Sequence, residues 1–227
     1  MDNGVLTINS GYNYLTSVNL INKKTLFLIV KTVFDIIIGI IGCLFILPIA
    51  LIVKISYLIS GDFSPIFYSQ IRIGKNGKKF KIYKFRTMVP NADVVLKELL
   101  KQEKYRKEWE ENQKLNDDPR ITKVGRILRK TSLDEVPQFL NLFKDMSLIG
   151  PRPLVVGELD SHNGIHSVYE SVKPGITGWW ACNGRSATDY NKRLNLEYYY
   201  ALNQSFSLDI KCLLKTVDVV INRTGAK

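Results

Sequence analysis

Cysteine is scarce in this 227-residue chain. Cys43, Cys182 and Cys212 lie far apart. They form no metal or redox spacing, and an odd number argues against a disulfide scaffold, so a reducing, cytosolic setting is the simplest reading. Histidine is scarcer still. His162 and His166 stand four apart in SHNGIHSVYE, which on a helix is ligand spacing. The Asn163-Gly164 pair between them signals a turn, however, and no motif ligand completes the set. Two surface histidines in a loop is the better reading. The chain also lacks a Gly-rich dinucleotide loop, a P-loop, internal repeats and low-complexity tracts. These absences exclude repeat architectures and the two commonest phosphate-binding loops.

Positive charge is plentiful. The net charge is +11, the sequence pI is about 9.5, and 45% of residues are hydrophobic. A disordered basic tail is therefore excluded. The balance suits a polyanionic partner: nucleic acid, an anionic membrane surface or phosphorylated small molecules. No nucleic-acid motif accompanies it, and an apolar anchor would be superfluous in a nucleic-acid binder, so nucleic acid is not expected as a partner.

The longest apolar run, IIIGIIGCLFILPIALIV from Ile36 to Val53, carries no charge. As a helix it measures roughly 27 Å, close to a bilayer core. It starts too far into the chain and is too long for a cleaved signal peptide. A buried core helix is the bland alternative. Its flanks are basic on both sides: Lys23, Lys24 and Lys31 before it, Lys54, Arg72, Lys75, Lys78, Lys79, Lys81, Lys84 and Arg86 after it. Basic flanks belong on the cytosolic side, and a straight span would strand one of them outside. A helix that enters, bends and returns satisfies both. Pro48 supplies the bend, and Gly39 and Gly42 add local freedom. The expected organisation is an N-terminal tail (1–25), a Pro-broken re-entrant membrane helix (26–60) and a membrane-associated catalytic domain on the cytosolic side (61–227).

The expected fold class is mixed α/β, mostly helical. A small β-hairpin is predicted over PIFYSQIRIGKNGKKFKIYKF, with Asn76-Gly77 as its tight turn and Ile71/Ile73 facing away from Phe80/Ile82. A charged helix is predicted from Asn91 to Leu115. An amphipathic surface helix is predicted near the C-terminus, with Ile210, Leu213, Leu214, Val217, Val220 and Ile221 on one stripe.

The most informative stretch is KTSLDEVPQFLNLFKDMSLIGPRP, Lys130 to Pro153. Ser132-Leu133-Asp134-Glu135 fits a capping box, with Ser132 as N-cap and Glu135 at N3. Alternatively the helix starts at Pro137. A cap explains one carboxylate and leaves the other without a duty. A helix N-terminus attracts phosphate and keeps carboxylates ionised. Two adjacent carboxylates suit Mg²⁺ together with substrate phosphates, and an ionised carboxylate can attack phosphorus. Arg126, Arg129 and Lys130 upstream and Arg152 downstream offset the negative charge. Arg152, fixed between Pro151 and Pro153, suits bidentate phosphate contact. Residues alone leave two readings open: a magnesium-dependent phosphoryl-transfer site beside a membrane, or a structural cap on a basic surface. A polybasic, membrane-anchored interaction module without chemistry accounts for the charge, but not for Asp134, Glu135 and Arg152 together.

The chain resembles the monotopic phosphoglycosyl transferases, bacterial sugar transferases of the short form. The resemblance rests on KTVFD, the Pro-broken helix, KFRTM (Lys84–Met88), DPRITKVGRILRKTSLDEVPQ (Asp118–Gln138), MSLIGPRP (Met146–Pro153), KPGITGW (Lys173–Trp179) and NGR (Asn183–Arg185). It implies a cytosolic-face enzyme of the bacterial inner membrane at the first membrane step of surface glycan assembly. It also implies a UDP-sugar donor, polyprenyl (undecaprenyl) phosphate as acceptor, UMP as product, Mg²⁺ as cofactor and anionic lipids as surroundings. Asp134 is implied as the nucleophile that carries the phosphosugar. Glu135 is the second carboxylate, as metal ligand or acid/base, and both carboxylates are candidate Mg²⁺ ligands. Lys84, Arg86, Arg129, Gln138, Arg152 and Arg185 are implied in substrate binding. The chain lacks the Gly common in the family between Lys144 and Asp145, and GWWACNGRS departs from the usual GWAQVNGRN. A homo-oligomer is left open, as is the identity of the sugar.

Overall fold

The computed structural model describes residues 10–112, 115–184 and 188–221. Helix α1 runs Ser10–Ile59, 50 residues and about 75 Å. It therefore passes without a break through the boundary expected at 25/26. Leu44 and Leu47 are 71% and 78% exposed. A core helix would hide such side chains. The buried-core alternative therefore fails, and α1 is long and apolar enough to cross a membrane. Pro48 lies inside it, leaving the Leu44 carbonyl without its intrahelical donor.

One stripe of α1 faces protein. Asp35, Gly39, Gly42, Ile46, Ile49, Val53 and Tyr57 recur at three- or four-residue steps. Asp35 accepts from Ser147 Oγ (3.0 Å) and from the Leu148 N–H (2.8 Å). Lys31 pairs with Asp209 at 2.6 Å. Val53 and Tyr57 join Ile66, Phe85 and Leu128 in a core cluster. Gly39 and Gly42 serve close approach rather than local freedom. A Cβ on Gly42 would lie 2.2 Å from the Phe139 ring.

The hairpin pairs β1 (Phe67–Ile73) with β2 (Lys79–Phe85) antiparallel, from Phe67↔Phe85 to Ile73↔Lys79. Asn76 and Gly77 both take left-handed backbone, φ 57° and 70°, as that dipeptide predicts, within a connection spanning 74–78. Phe80 and Ile82 are buried, while Ile71 faces out. The single helix expected over 91–115 is two, α2 (Ala92–Leu99) and α3 (Glu103–Asn112). Helix α2 buries no residue, so packing imposes no common axis on the pair.

Helix α4 (Lys123–Thr131) starts where Thr122 Oγ1 accepts the Gly125 N–H at 2.9 Å. It ends at Ser132, whose left-handed φ of 57° turns the chain. The capping box expected there does not form, because Ser132 is a C-cap and makes no side-chain cap bond. The next segment, Leu133–Phe143, is an 11-residue 3₁₀-helix instead of an α-helix. Pro137 lacks the N–H that an α-turn would bond to Leu133. Runs of 3₁₀ beyond three or four residues are uncommon. Strands β3 (Ser147–Ile149) and β4 (Gly175–Thr177) pair in parallel, and α5 (His166–Tyr169), α6 (Tyr190–Asn203) and α7 (Phe206–Ile221) complete the chain.

In α7 the expected stripe divides. Leu213 packs inward against the cluster of Tyr200, Leu208 and Cys212. Ile210, Leu214 and Val217 remain exposed. The side chains of Val220 and Ile221 lie outside the described residues. Both histidines are exposed. His166 sits 2.7 Å from both Asp160 and Glu170, and His162 stacks on Tyr190.

Asp35→Ala leaves the Leu148 N–H and the Ser147 hydroxyl without their acceptor. The expected loss is about 2–3 kcal/mol, a fall in melting temperature of roughly 4–12 °C in detergent. The exposed Val94→Ala serves as control and stays within about 0.5 kcal/mol of wild type. Equal melting curves for Asp35→Ala and wild type would show that α1 is not latched there.

Candidate active site

Three elements converge on the adjacent carboxylates. The 3₁₀-helix carries Asp134 and Glu135 in its first turn. Strand β2 brings Lys84 near its end, where Lys84 Nζ meets Glu135 Oε1 at 2.6 Å. Helix α4 brings Arg129 from its last turn, with Nε donating to Thr87 Oγ1 at 3.0 Å. Local packing fixes these positions. Thr122 N and Oγ1 both donate to the Thr87 carbonyl. A Cβ on Gly125 would strike that same carbonyl at 1.9 Å, so only glycine lets α4 lie this close. Asn141 stitches the 3₁₀-helix to β2, donating to the Lys81 carbonyl (2.7 Å) and accepting the Tyr83 N–H (3.4 Å).

Asp134 is half-buried. Burial pushes its carboxyl above the ordinary value and the neighbouring Glu135 adds to this, while Lys84 and Arg129 pull it back down. Lys84 and Arg129 thus offset part of the cost of a negative charge at this half-buried position, and burial still leaves the carboxyl above its ordinary value. The α-helical N-terminus expected behind it is replaced by the tighter 3₁₀ turn, in which the Glu135 N–H is already given to the Ser132 carbonyl.

The other predicted site residues are distributed unevenly. Gln138 is buried one turn further along the 3₁₀-helix. Arg86 is buried. Nε donates to the Pro65 carbonyl, Nη1 to the Met88 carbonyl and Nη2 to Asp62, and the guanidinium lies 4.3 Å from the Tyr57 ring centroid. These three donors tie the end of the hairpin to the 62–65 segment and to Met88. Arg152 belongs to a second group with Arg72, Trp180, Arg193 and Glu197. Arg185 lies outside the described residues. Sequence reasoning missed Thr87 and Asn141, whose contacts come from elements distant in sequence. It also missed Glu197, although a lone Glu among the apolar residues of α6 is a signal of burial with a purpose.

Among the described residues no group of three or more His, Cys, Asp or Glu could hold a metal ion. Asp134 and Glu135 supply two carboxylates. That fits Mg²⁺ only as an ion completed by substrate phosphates and water.

Residues 26–223 match the bacterial sugar transferase family, and the chain belongs to it. It is 44% identical over 210 residues to the undecaprenyl-phosphate galactose phosphotransferase of Salmonella typhimurium, covering 92% of this chain and 43% of that one. It is 35% identical over 225 residues to the UDP-glucose:undecaprenyl-phosphate glucose-1-phosphate transferase of Escherichia coli, covering 95% and 43%. The exopolysaccharide production protein ExoY of Sinorhizobium fredii is 40% identical over 198 residues, 86% of this chain and 87% of its own length. The chain thus spans less than half the length of the first two relatives and most of the third.

Removing Lys84 removes a cation that favours the ionised carboxylate. Lys84→Met should therefore raise the Asp134 titration midpoint further, read from the ¹³C carboxyl shift of labelled aspartate and assigned with Asp134→Asn. An unchanged or lower midpoint would show that Lys84 does not act on Asp134.

Proposed function

We propose that this chain transfers a sugar-1-phosphate from a UDP-sugar to polyprenyl phosphate, with Asp134 as the covalent carrier. The observation that carries this reading is the half-buried Asp134 carboxylate between Lys84 and Arg129, beside an apolar helix that brings the site to a membrane. The names of the relatives point the same way, to a phosphorylated sugar and an undecaprenyl-phosphate acceptor.

Asp134 Oδ attacks the phosphorus that bears the sugar. The P–O bond to the nucleoside monophosphate breaks, and UMP leaves with that bonding pair. An oxygen of polyprenyl phosphate then attacks the same phosphorus and the aspartyl P–O bond breaks. The product is polyprenyl-diphosphate-sugar, and the Asp134 carboxylate is regenerated. Lys84 and Arg129 offset the charge that gathers as anion meets anion, and Arg152 is assigned to a phosphate oxygen. Mg²⁺, held by Asp134 or Glu135 and the donor phosphates, would neutralise diphosphate charge when bound.

The membrane arrangement is proposed as re-entrant. The protein-facing stripe of α1 touches the same body of protein at Lys31–Asp35 and again at Val53–Tyr57, 22 residues or about 33 Å further on. A straight span of about 30 Å would put those two contacts on opposite sides of the bilayer. A bend at Pro48 returns both ends to one face, where the exposed lysines 75, 78, 79 and 81 meet anionic lipid.

Enzyme given UDP-sugar and Mg²⁺ without polyprenyl phosphate should release about one UMP per active site. Its mass should rise by one phosphosugar, mapped to Asp134. Asp134→Asn should lose the adduct, and turnover should fall by about three orders of magnitude or more. UMP release that needs polyprenyl phosphate from the outset, with no adduct, would mean direct attack by the lipid phosphate. For topology, single cysteines at positions 24 and 78 in a cysteine-free chain should both stay unlabelled in intact spheroplasts. Labelling at position 24 alone would mean that α1 crosses the membrane.

A further inference from the structure

Arg152 is held in an unusual way. Its neighbours Pro151 and Pro153 have no N–H, and every remaining backbone polar group of the three residues is bonded. The Pro151 carbonyl accepts the Gly175 N–H at 2.8 Å. The Arg152 N–H donates to Glu197 Oε1 at 3.0 Å, and the Arg152 carbonyl accepts from the Tyr169 hydroxyl at 2.7 Å. The Pro153 carbonyl accepts from Arg72 Nη1 at 3.3 Å. Three of those four partners are side chains, drawn from α6, α5 and β1. Loops ordinarily leave such groups to water.

The Arg152 side chain is treated in the opposite way. It is exposed, and its guanidinium makes no hydrogen bond or ion pair among the described residues. Its carbon sits 5.8 Å from the Trp180 ring centroid, within cation–π reach, and a ring face directs a cation without consuming its donors. Trp180 is itself fixed. Its indole N–H donates to Thr188 at 2.8 Å, and Arg193 lies on the ring at 4.8 Å. Holding Glu197 there is costly. It is 1% exposed and its second oxygen has no partner, and burial pushes its carboxyl up to about 7. A buried carboxylate with one unmet oxygen is a poor way to stabilise a core. It is a good way to fix one backbone N–H.

We propose that Glu197, Tyr169 and Trp180 are positioning residues that present the Arg152 guanidinium, with its donors free, to a phosphate group of a substrate. The proposal rests on the phosphoryl-transfer reading for its ligand, and it adds the residues that make the site. Pre-organisation matters because an arginine on a mobile loop loses rotamer and backbone freedom on binding, and one already fixed does not. Its free planar fork matches a phosphate bidentately. Two phosphates are candidates, the donor's diphosphate and the acceptor's lipid monophosphate. The chemistry is shared, and only the experiment's arms separate them.

The test is direct binding to full-length protein in detergent, with UDP in one arm and farnesyl phosphate in the other, read by calorimetry beside the melting temperature. Tyr169→Phe deletes only the hydroxyl that grips Arg152, and should weaken binding about three- to tenfold. Trp180→Ala should do the same, and Trp180→Phe, which keeps a ring face, should recover most of it. Glu197→Gln keeps an acceptor oxygen and should bind near wild type, while Glu197→Leu should not. Arg152→Ala should lose at least tenfold in the same arm. The arm that responds names the phosphate received: UDP the donor's, farnesyl phosphate the acceptor's. Variants that melt earlier yet bind both ligands like wild type would overturn the proposal and leave these residues structural. Binding needs no turnover, so the two readings fail separately. A wild type that binds and responds as described but forms no Asp134 adduct would sink the covalent mechanism and leave this site standing.

Discussion

The rest of the structure depends on the contact between Gly42 of α1 and the ring of Phe139. A Cβ at position 42 would lie 2.2 Å from that ring, so the helix and the 3₁₀ segment are as close as they can be. The segment that makes this contact is the same 11 residues that carry Asp134 and Glu135. The anchor and the carboxylates therefore belong to one piece of backbone. Asn141 then bonds that piece to β2, and β2 carries Lys84 to Glu135. The helix is thus a structural member of the site as well as its membrane attachment.

Polar bonds specify what the apolar contacts hold. Asp35 at one end of the docking stripe receives two donors from the β3 region, and the Tyr57 hydroxyl at the other donates to the Arg86 carbonyl at 2.6 Å. Arg86 in turn ties the hairpin to Asp62 and Pro65. Interior packing tolerates sliding better than such bonds do, since each bond has one partner and one direction. For a chain whose acceptor is proposed to be a lipid phosphate, a fixed register between anchor and carboxylate sets the height of the site above the bilayer.

Much of this was legible in the residues. The uncharged run with basic flanks identified α1, Asn76-Gly77 identified the hairpin turn, and Asp134-Glu135 just downstream of Arg129 marked the adjacent carboxylates, while the approach of Lys84 came only from the fold. The errors share one cause: a local pattern has two meanings until tertiary contacts choose between them. Ser132 to Glu135 satisfies a capping box, yet Pro137 and the left-handed Ser132 make a 3₁₀-helix instead. Gly42 reads as freedom and is in fact contact. The charged stretch after Asn91 reads as one helix, and without a buried face it becomes two. Glu197 and Tyr169 carry no local pattern at all, because their partner is a backbone segment 17 to 45 residues away.

Amide hydrogen exchange on Gly42→Val in detergent tests the dependence most directly, read by mass over residues 133–143. If α1 organises the carboxylate segment, protection there should fall together with that of residues 35–57. Helices α2 and α3, which make no part of the contact, should exchange as in the wild type. Unchanged protection over 133–143, with the loss confined to α1, would contradict the account and make the helix an anchor alone.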